Sequence, residues 1–130
     1  MKFNSNKTSF ALVMIHLLLV SCQKAERVDP IIKSQEAQNI GINQATMIGE
    51  LQDMGARTNW DYGFVWSELP GPDVHIGTLI HLGNRSMEGV FSIVQDGLQP
   101  GTTYYFKSFV SDPGFTRIYY GNERDFTTLP

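Results

Sequence analysis

From residue 30 onward the chain alternates apolar and polar positions with a period of two, and small clusters of Gly, Pro, Asn and Asp interrupt the alternation. That is the pattern of half-buried strands joined by turns. Pro30-Ile-Ile-Lys33 predicts a first strand with proline at its edge. Ser34 to Asn43 admits a short helix, but Gly41 and Asn43 break the spacing and Asn39-Ile40-Gly41 suits a turn. Ala45, Met47, Gly49 and Leu51 share one face of a second strand. Trp60, Tyr62, Phe64 and Trp66 share one face of a third, the heaviest apolar stripe in the chain. Val74 to Leu82 is a weaker strand, irregular around Gly77 and Gly83, and Gly89 to Val94 places Phe91 and Ile93 in register. Thr103 to Asp112 alternates most cleanly, with Tyr104, Phe106, Ser108 and Val110 on one face and Tyr105, Lys107 and Phe109 on the other. Ile118 to Thr128 is a last strand, bent or bulged at Gly121. Seven strands and no convincing helix after residue 22 predict an all-β, two-sheet antiparallel sandwich over residues 30–130.

The turn into the cleanest strand specifies the fold most closely. In Leu98-Gln-Pro-Gly-Thr-Thr-Tyr104, Pro100 presets φ near −65° and Gly101 accepts a positive φ, so the turn is tight. Tyr104 can then bury its ring and engage the turn's backbone through its hydroxyl, the tyrosine corner of β-sandwiches. With Leu98, Pro100, Gly101 and Tyr104 in place, the chain resembles the fibronectin type III superfamily of immunoglobulin-like sandwiches. More narrowly it resembles the variant found in Bacteroidetes lipoproteins, through Ala45-Thr-Met-x-Gly49, Tyr62-Gly-Phe-Val-Trp-Ser67 and Tyr120-Gly-Asn-Glu-x-x-Phe126-Thr-Thr128. Gly49 falls where the animal modules usually carry a core tryptophan. The resemblance therefore implies a volume for Trp66 to fill, with small Ser108 beside it.

The first 29 residues have a different character. Lys2 and Lys7 precede an apolar run, Phe10 to Val20, which is too short to cross a bilayer core of about 30 Å as a helix. It ends in Leu19-Val20-Ser21-Cys22, which resembles the bacterial lipobox. That resemblance implies a lipoprotein signal peptide over residues 1–21, and lipidation of Cys22 as the first mature residue. A short tether would then occupy residues 22–29, roughly 20–25 Å when extended. Gln23 after the cysteine is similar to outer-membrane lipoproteins, and Gln23-Lys24-Ala25-Glu26 loosely resembles signals for display at the cell surface. The expected location is the cell envelope.

Charge and chemistry narrow the function from there. Formal net charge is −3 over 130 residues, and the expected cleavage leaves eight basic against thirteen acidic residues. No basic stripe exists to neutralise phosphates, which argues against nucleic acid. Cys22 is the sole cysteine, so no internal disulfide forms. No nucleophile motif, glycine-rich phosphate loop or cofactor signature is present, and no enzyme or cofactor is expected. His75 and His81 could share one side of a strand near Asp73, but solvated side chains account for them and no metal is expected.

What remains is surface apolarity. If Tyr104 and Phe106 point inward, Tyr105 and Phe109 point outward, with Gly63 and Val65 nearby on the neighbouring strand and Tyr119 or Tyr120 on the last; Tyr105, Phe109, Val65 and Tyr119 form the candidate face. Two readings stand: an exposed aromatic interaction face, or rings covered by Lys107 and neighbouring side chains that stabilise the sheet. The expected role is a membrane-anchored, non-catalytic protein-interaction or structural module. The alternative is a carbohydrate-binding accessory lipoprotein, which rests on family analogy.

Overall fold

The structure, a computed structural model, describes residues 29–130. The expected signal peptide and all of the tether except Asp29, Cys22 included, lie outside the described residues. Strands run over Ile31–Gln38 (β1), Ala45–Asp53 (β2), Trp60–Ser67 (β3), Thr78–Arg85 (β4), Gly89–Gln95 (β5), Thr103–Ser111 (β6), Ile118–Tyr120 (β7) and Arg124–Thr127 (β8), with no helix among the described residues. Antiparallel pairing gives one sheet in the order β1–β2–β5. The second has the order β4–β3–β6, with β7 and β8 both on the far edge of β6. The strand expected over Ile118–Thr128 is thus two short strands, and the count is eight.

Residues with the expected period-two spacing fill the space between the sheets. Met47, Leu51, Phe64, Phe106 and Val110 are fully buried, and Trp60 and Tyr104 nearly so. The corner closes as expected: the Gln99 N–H donates to the Tyr104 hydroxyl at 2.8 Å, Gly101 has φ +59°, and Leu98 is buried. The Tyr104 ring stacks on Phe126 and meets Trp66 edge-on. Those ring partners hold Trp66 beside the corner and away from Gly49.

The volume over Gly49 is filled by Phe91 instead. A Cβ on Gly49 would sit 2.7 Å from the tip of the Phe91 ring and 2.7 Å from the Ser108 Cβ. Phe91 is directly opposite Gly49 in the β2–β5 ladder. Its ring leans over the gap onto Tyr62 and Phe64. On the open flank, the Arg85 guanidinium lies 5.0 Å from the Tyr62 ring and 5.2 Å from the Phe91 ring, a cation–π cap over the edge of the core.

The break at Gly121 has a polar cause. Ser108 sits on β6 at the level where the edge strand is interrupted, between the Phe106–Arg124 and Phe109–Tyr120 pairs. Its N–H donates to Ser34 Oγ at 2.9 Å, and its own hydroxyl donates to the Lys33 carbonyl at 2.9 Å. The Ser34 N–H donates to Asn122 Oδ1 at 2.9 Å, and the Gly121 N–H to the Ser108 carbonyl at 2.8 Å. The middle of β1 is thereby stitched to the opposite sheet. A Cβ at residue 121 would fall 2.5 Å from Ser108 Oγ, so only glycine fits. This stitch also explains why 34–38 is strand: Ile32 and Ser34 both turn inward, and Asn39 ends the strand at φ +51°.

Candidate functional site

The larger sheet does direct Val65, Tyr105 and Phe109 to its outer side, but that side is covered. Val65 and Phe109 are both 0% exposed. The connection over residues 68–77 starts from β3, crosses β6 and reaches β7, where the Val74 N–H donates to the Tyr120 hydroxyl at 3.0 Å. The Gly71 N–H donates to Glu123 Oε1 at 2.8 Å, and Pro72 is fully buried beneath this crossing. Lys107 Nζ lies 5.5 Å from the Tyr120 ring centroid. A second connection, residues 112–117, turns Phe115 back at φ +55° so that its ring meets Phe109 and His81, each with centroids 5.8 Å apart. A positive φ at an aromatic residue is unfavourable, and the ring contacts with Phe109 and His81 offset it.

Tyr119 is not on that side at all. It pairs with inward-facing Val110, whereas Tyr120 pairs with Phe109. The Tyr119 ring meets Trp60 edge-on at 5.7 Å and its hydroxyl donates to Asp29 Oδ1 at 2.9 Å. Of the four expected face residues, only Tyr105 keeps a half-exposed position on the outer side, between Ser67 and Asp125. As an exposed aromatic patch, the set of Val65, Tyr105, Phe109 and Tyr119 does not exist.

Polar and aromatic groups converge elsewhere, at the end of the sandwich where β1 begins. The β2–β3 connection (residues 54–59) and the β6–β7 connection (residues 112–117) meet there around a cavity of about 270 Å³ lined by Ala56, Arg57, Trp60, Asp112, Arg117 and Tyr119. Trp60 is fixed by its indole N–H, which donates to the Met54 carbonyl at 2.8 Å. The Arg57 guanidinium lies 5.2 Å over the Trp60 ring and its Nε donates to the Asn59 carbonyl at 3.4 Å. Asp112 organises the other wall. Its carboxylate accepts from the Thr116 hydroxyl, from the Thr116 N–H at 2.8 Å and from the Arg117 N–H at 3.1 Å. Those bonds, the Thr116 hydroxyl first, hold its pKa below the ordinary 3.8, with the charge of Arg57 assisting. The Arg117 guanidinium has no ion pair or hydrogen bond among the described residues.

No sequence pattern marks this site, because Arg57 and Arg117 are isolated residues in two separate turns. The signal lies in the topology: in this sandwich the β2–β3 and β6–β7 connections fall at the same end. A larger cleft, about 430 Å³, opens on the flank between β1 and β8 over Ala37, Ile40 and Phe126, rimmed by Glu36, Glu123 and Asp125. Arg124 beside it is turned toward the Ser34 carbonyl at 3.3 Å. The histidines do not converge. His81 Nε2 stands 3.7 Å from Asp61, while Asp73 spends its carboxylate on the His75 and Ile76 N–H groups. No group of three His, Cys, Asp or Glu side chains able to hold a metal ion occurs among the described residues.

No protein-family model matches the chain, and no curated protein does. Solved structures do. The sensor domain, in its shorter form, of the anti-sigma factor RsgI4 of Pseudobacteroides cellulosolvens superposes with a TM-score of 0.58 at 19% identity, covering 77% of this chain and 94% of that one. The domain of human fibronectin type III domain containing protein 3 gives 0.53 at 14% identity, covering 82% and 90%. The fibronectin type III domain of human KIAA0970 gives 0.51 at 16%, covering 75% and 72%. The fold is a fibronectin type III-like sandwich. At these identities the likeness concerns fold, and the site has to be argued from its own residues.

Proposed function

We propose that the protein is a non-catalytic binding module of a bacterial cell envelope, held at the outer membrane by a lipid on Cys22. Its recognition surface is the sandwich end formed by residues 54–59 and 112–117, and its partner is an envelope protein. The observation that carries this reading is the cavity there, where, among the described residues, the guanidinium of Arg117 has no partner and Arg57 has no ion pair. Likeness to a domain whose role is given as sensing supports binding without turnover. The lipid anchor is supported by the Leu19-Val20-Ser21-Cys22 sequence. Cys22→Ser tests it: the variant should lose incorporation of labelled palmitate and move from the membrane to the soluble fraction. Retention of label and location would contradict the anchor.

A second reading, a glycan-binding accessory lipoprotein, is favoured by one feature of the same cavity. Its wall is aromatic as well as charged, with half-exposed Tyr119 held edge-on by buried Trp60.

A further inference from the structure

We propose that the cavity between residues 54–59 and 112–117 is a binding site for a carboxylate-bearing sugar ring, such as a uronic acid residue of a glycan. This inference rests on the second reading above and gives it a ligand class.

Size sets the first limit. At about 270 Å³ the cavity falls just below the roughly 300–1,000 Å³ of sites for drug-sized ligands, so it takes one ring rather than a stretch of chain. Arg57 and Arg117 reach it from different connections, and a guanidinium fork matches the two oxygens of a carboxylate. Half-exposed Tyr119 supplies the aromatic wall, backed by buried Trp60, and its negative face attracts the weakly positive C–H edges of a sugar ring.

Asp112 selects among acids. Its carboxylate lines the cavity in the charged state, with Oδ1 taken up by two backbone N–H groups and Oδ2 by the Thr116 hydroxyl alone. Oδ2 therefore retains capacity for one more donor. A sugar hydroxyl supplies that donor, whereas an aromatic acid would set a bare ring edge against the charge.

The acids also decide between a shaped ligand and a free ion. Asp112 lies in the cavity wall and Asp29 accepts from Tyr119 at its edge, so together they offset the two arginines. A small anion recruited by charge alone gains little. A ligand offering a carboxylate to the arginines and a hydroxyl to Asp112 gains from both.

The test is titration of the full-length protein with glucuronate and galacturonate, against glucose, galactose, benzoate and inorganic phosphate, followed by ligand-observed NMR and tryptophan fluorescence. The uronates should bind saturably and the other four probes at least about tenfold more weakly, the loss expected when one charge-assisted contact is missing. Arg57→Ala and Arg117→Ala should each weaken uronate binding by at least about tenfold, with Arg117→Lys losing less than Arg117→Ala. Both arginines are exposed, so the variants should keep the parent melting temperature. No uronate binding, equal binding of neutral sugar, benzoate or phosphate, or full binding by both alanine variants would each overturn the proposal. Capture of an envelope protein that is lost in the same variants, without any uronate binding, would overturn the sugar site and leave the binding module standing. Loss of neither would remove both.

Discussion

Gly49 has no side chain because none fits: its Cβ direction points into Phe91 and Ser108 at 2.7 Å. Both neighbours are themselves held, Phe91 by Tyr62 and Phe64 and Ser108 by the stitch to β1. Gly49→Ala should therefore destabilise the domain by about 1–3 kcal/mol through overpacking, and Gly49→Trp by more. Urea denaturation checks this, and an unchanged midpoint for Gly49→Trp would contradict the packing described. Tyr104 is the opposite case, a large residue whose polar tip is satisfied. Tyr104→Phe keeps the ring stack on Phe126 but removes the acceptor of the part-buried Gln99 N–H, and should cost about 0.5–1.5 kcal/mol in the same denaturation. The role of Tyr104 was readable from Leu98-x-Pro-Gly-Thr-x-Tyr104 alone, because turn and ring are adjacent in sequence. The partner of Gly49 was not, since Phe91 lies forty-two positions away and only strand pairing brings it opposite.

At the level of elements, period-two alternation identified which residues share a side of each strand. It carried no information on whether that side meets solvent. Val65 and Phe109 lie on the outer side as expected and are still fully buried, because residues 68–77 and 112–117 fold across them. Phe115 contributes through a left-handed backbone conformation that sequence pattern disfavours for an aromatic. Tyr119 and Tyr120 were ambiguous for a different reason: the break at Gly121 uncouples the register of the two halves of the last strand. The 112–117 connection also carries a pH dependence. Asp112 has a folded pKa depressed below 3.8, so its stabilising bonds are complete above the unfolded value and are lost as pH falls through the lower folded value. The Thr116 and Arg117 amides should therefore shift and exchange faster in acid below that range, while Asp112→Asn should show no such transition. Amides that titrate identically in both proteins would contradict the role given to the carboxylate.

The whole molecule combines a core readable from sequence with a loop-end cavity that was not. Strand stripes and the corner motif fixed the two-sheet sandwich, since both follow from local chemistry. Arg57 and Arg117 come together only because the β2–β3 and β6–β7 connections share one end of that sandwich. Asp29, the first described residue, is bonded to Tyr119 at the same end. The proposed lipid on Cys22, if the intervening residues were fully extended, would hold this end within about 25 Å of the membrane surface. The most direct measurement compares three forms of the full-length protein for capture of envelope ligand: the parent, the Arg57→Ala/Arg117→Ala double variant, and Tyr105→Ala. Binding at the loop end predicts that the double variant loses the ligand while Tyr105→Ala keeps it. Retention by the double variant with loss in Tyr105→Ala would return recognition to the outer side of the larger sheet and contradict the account.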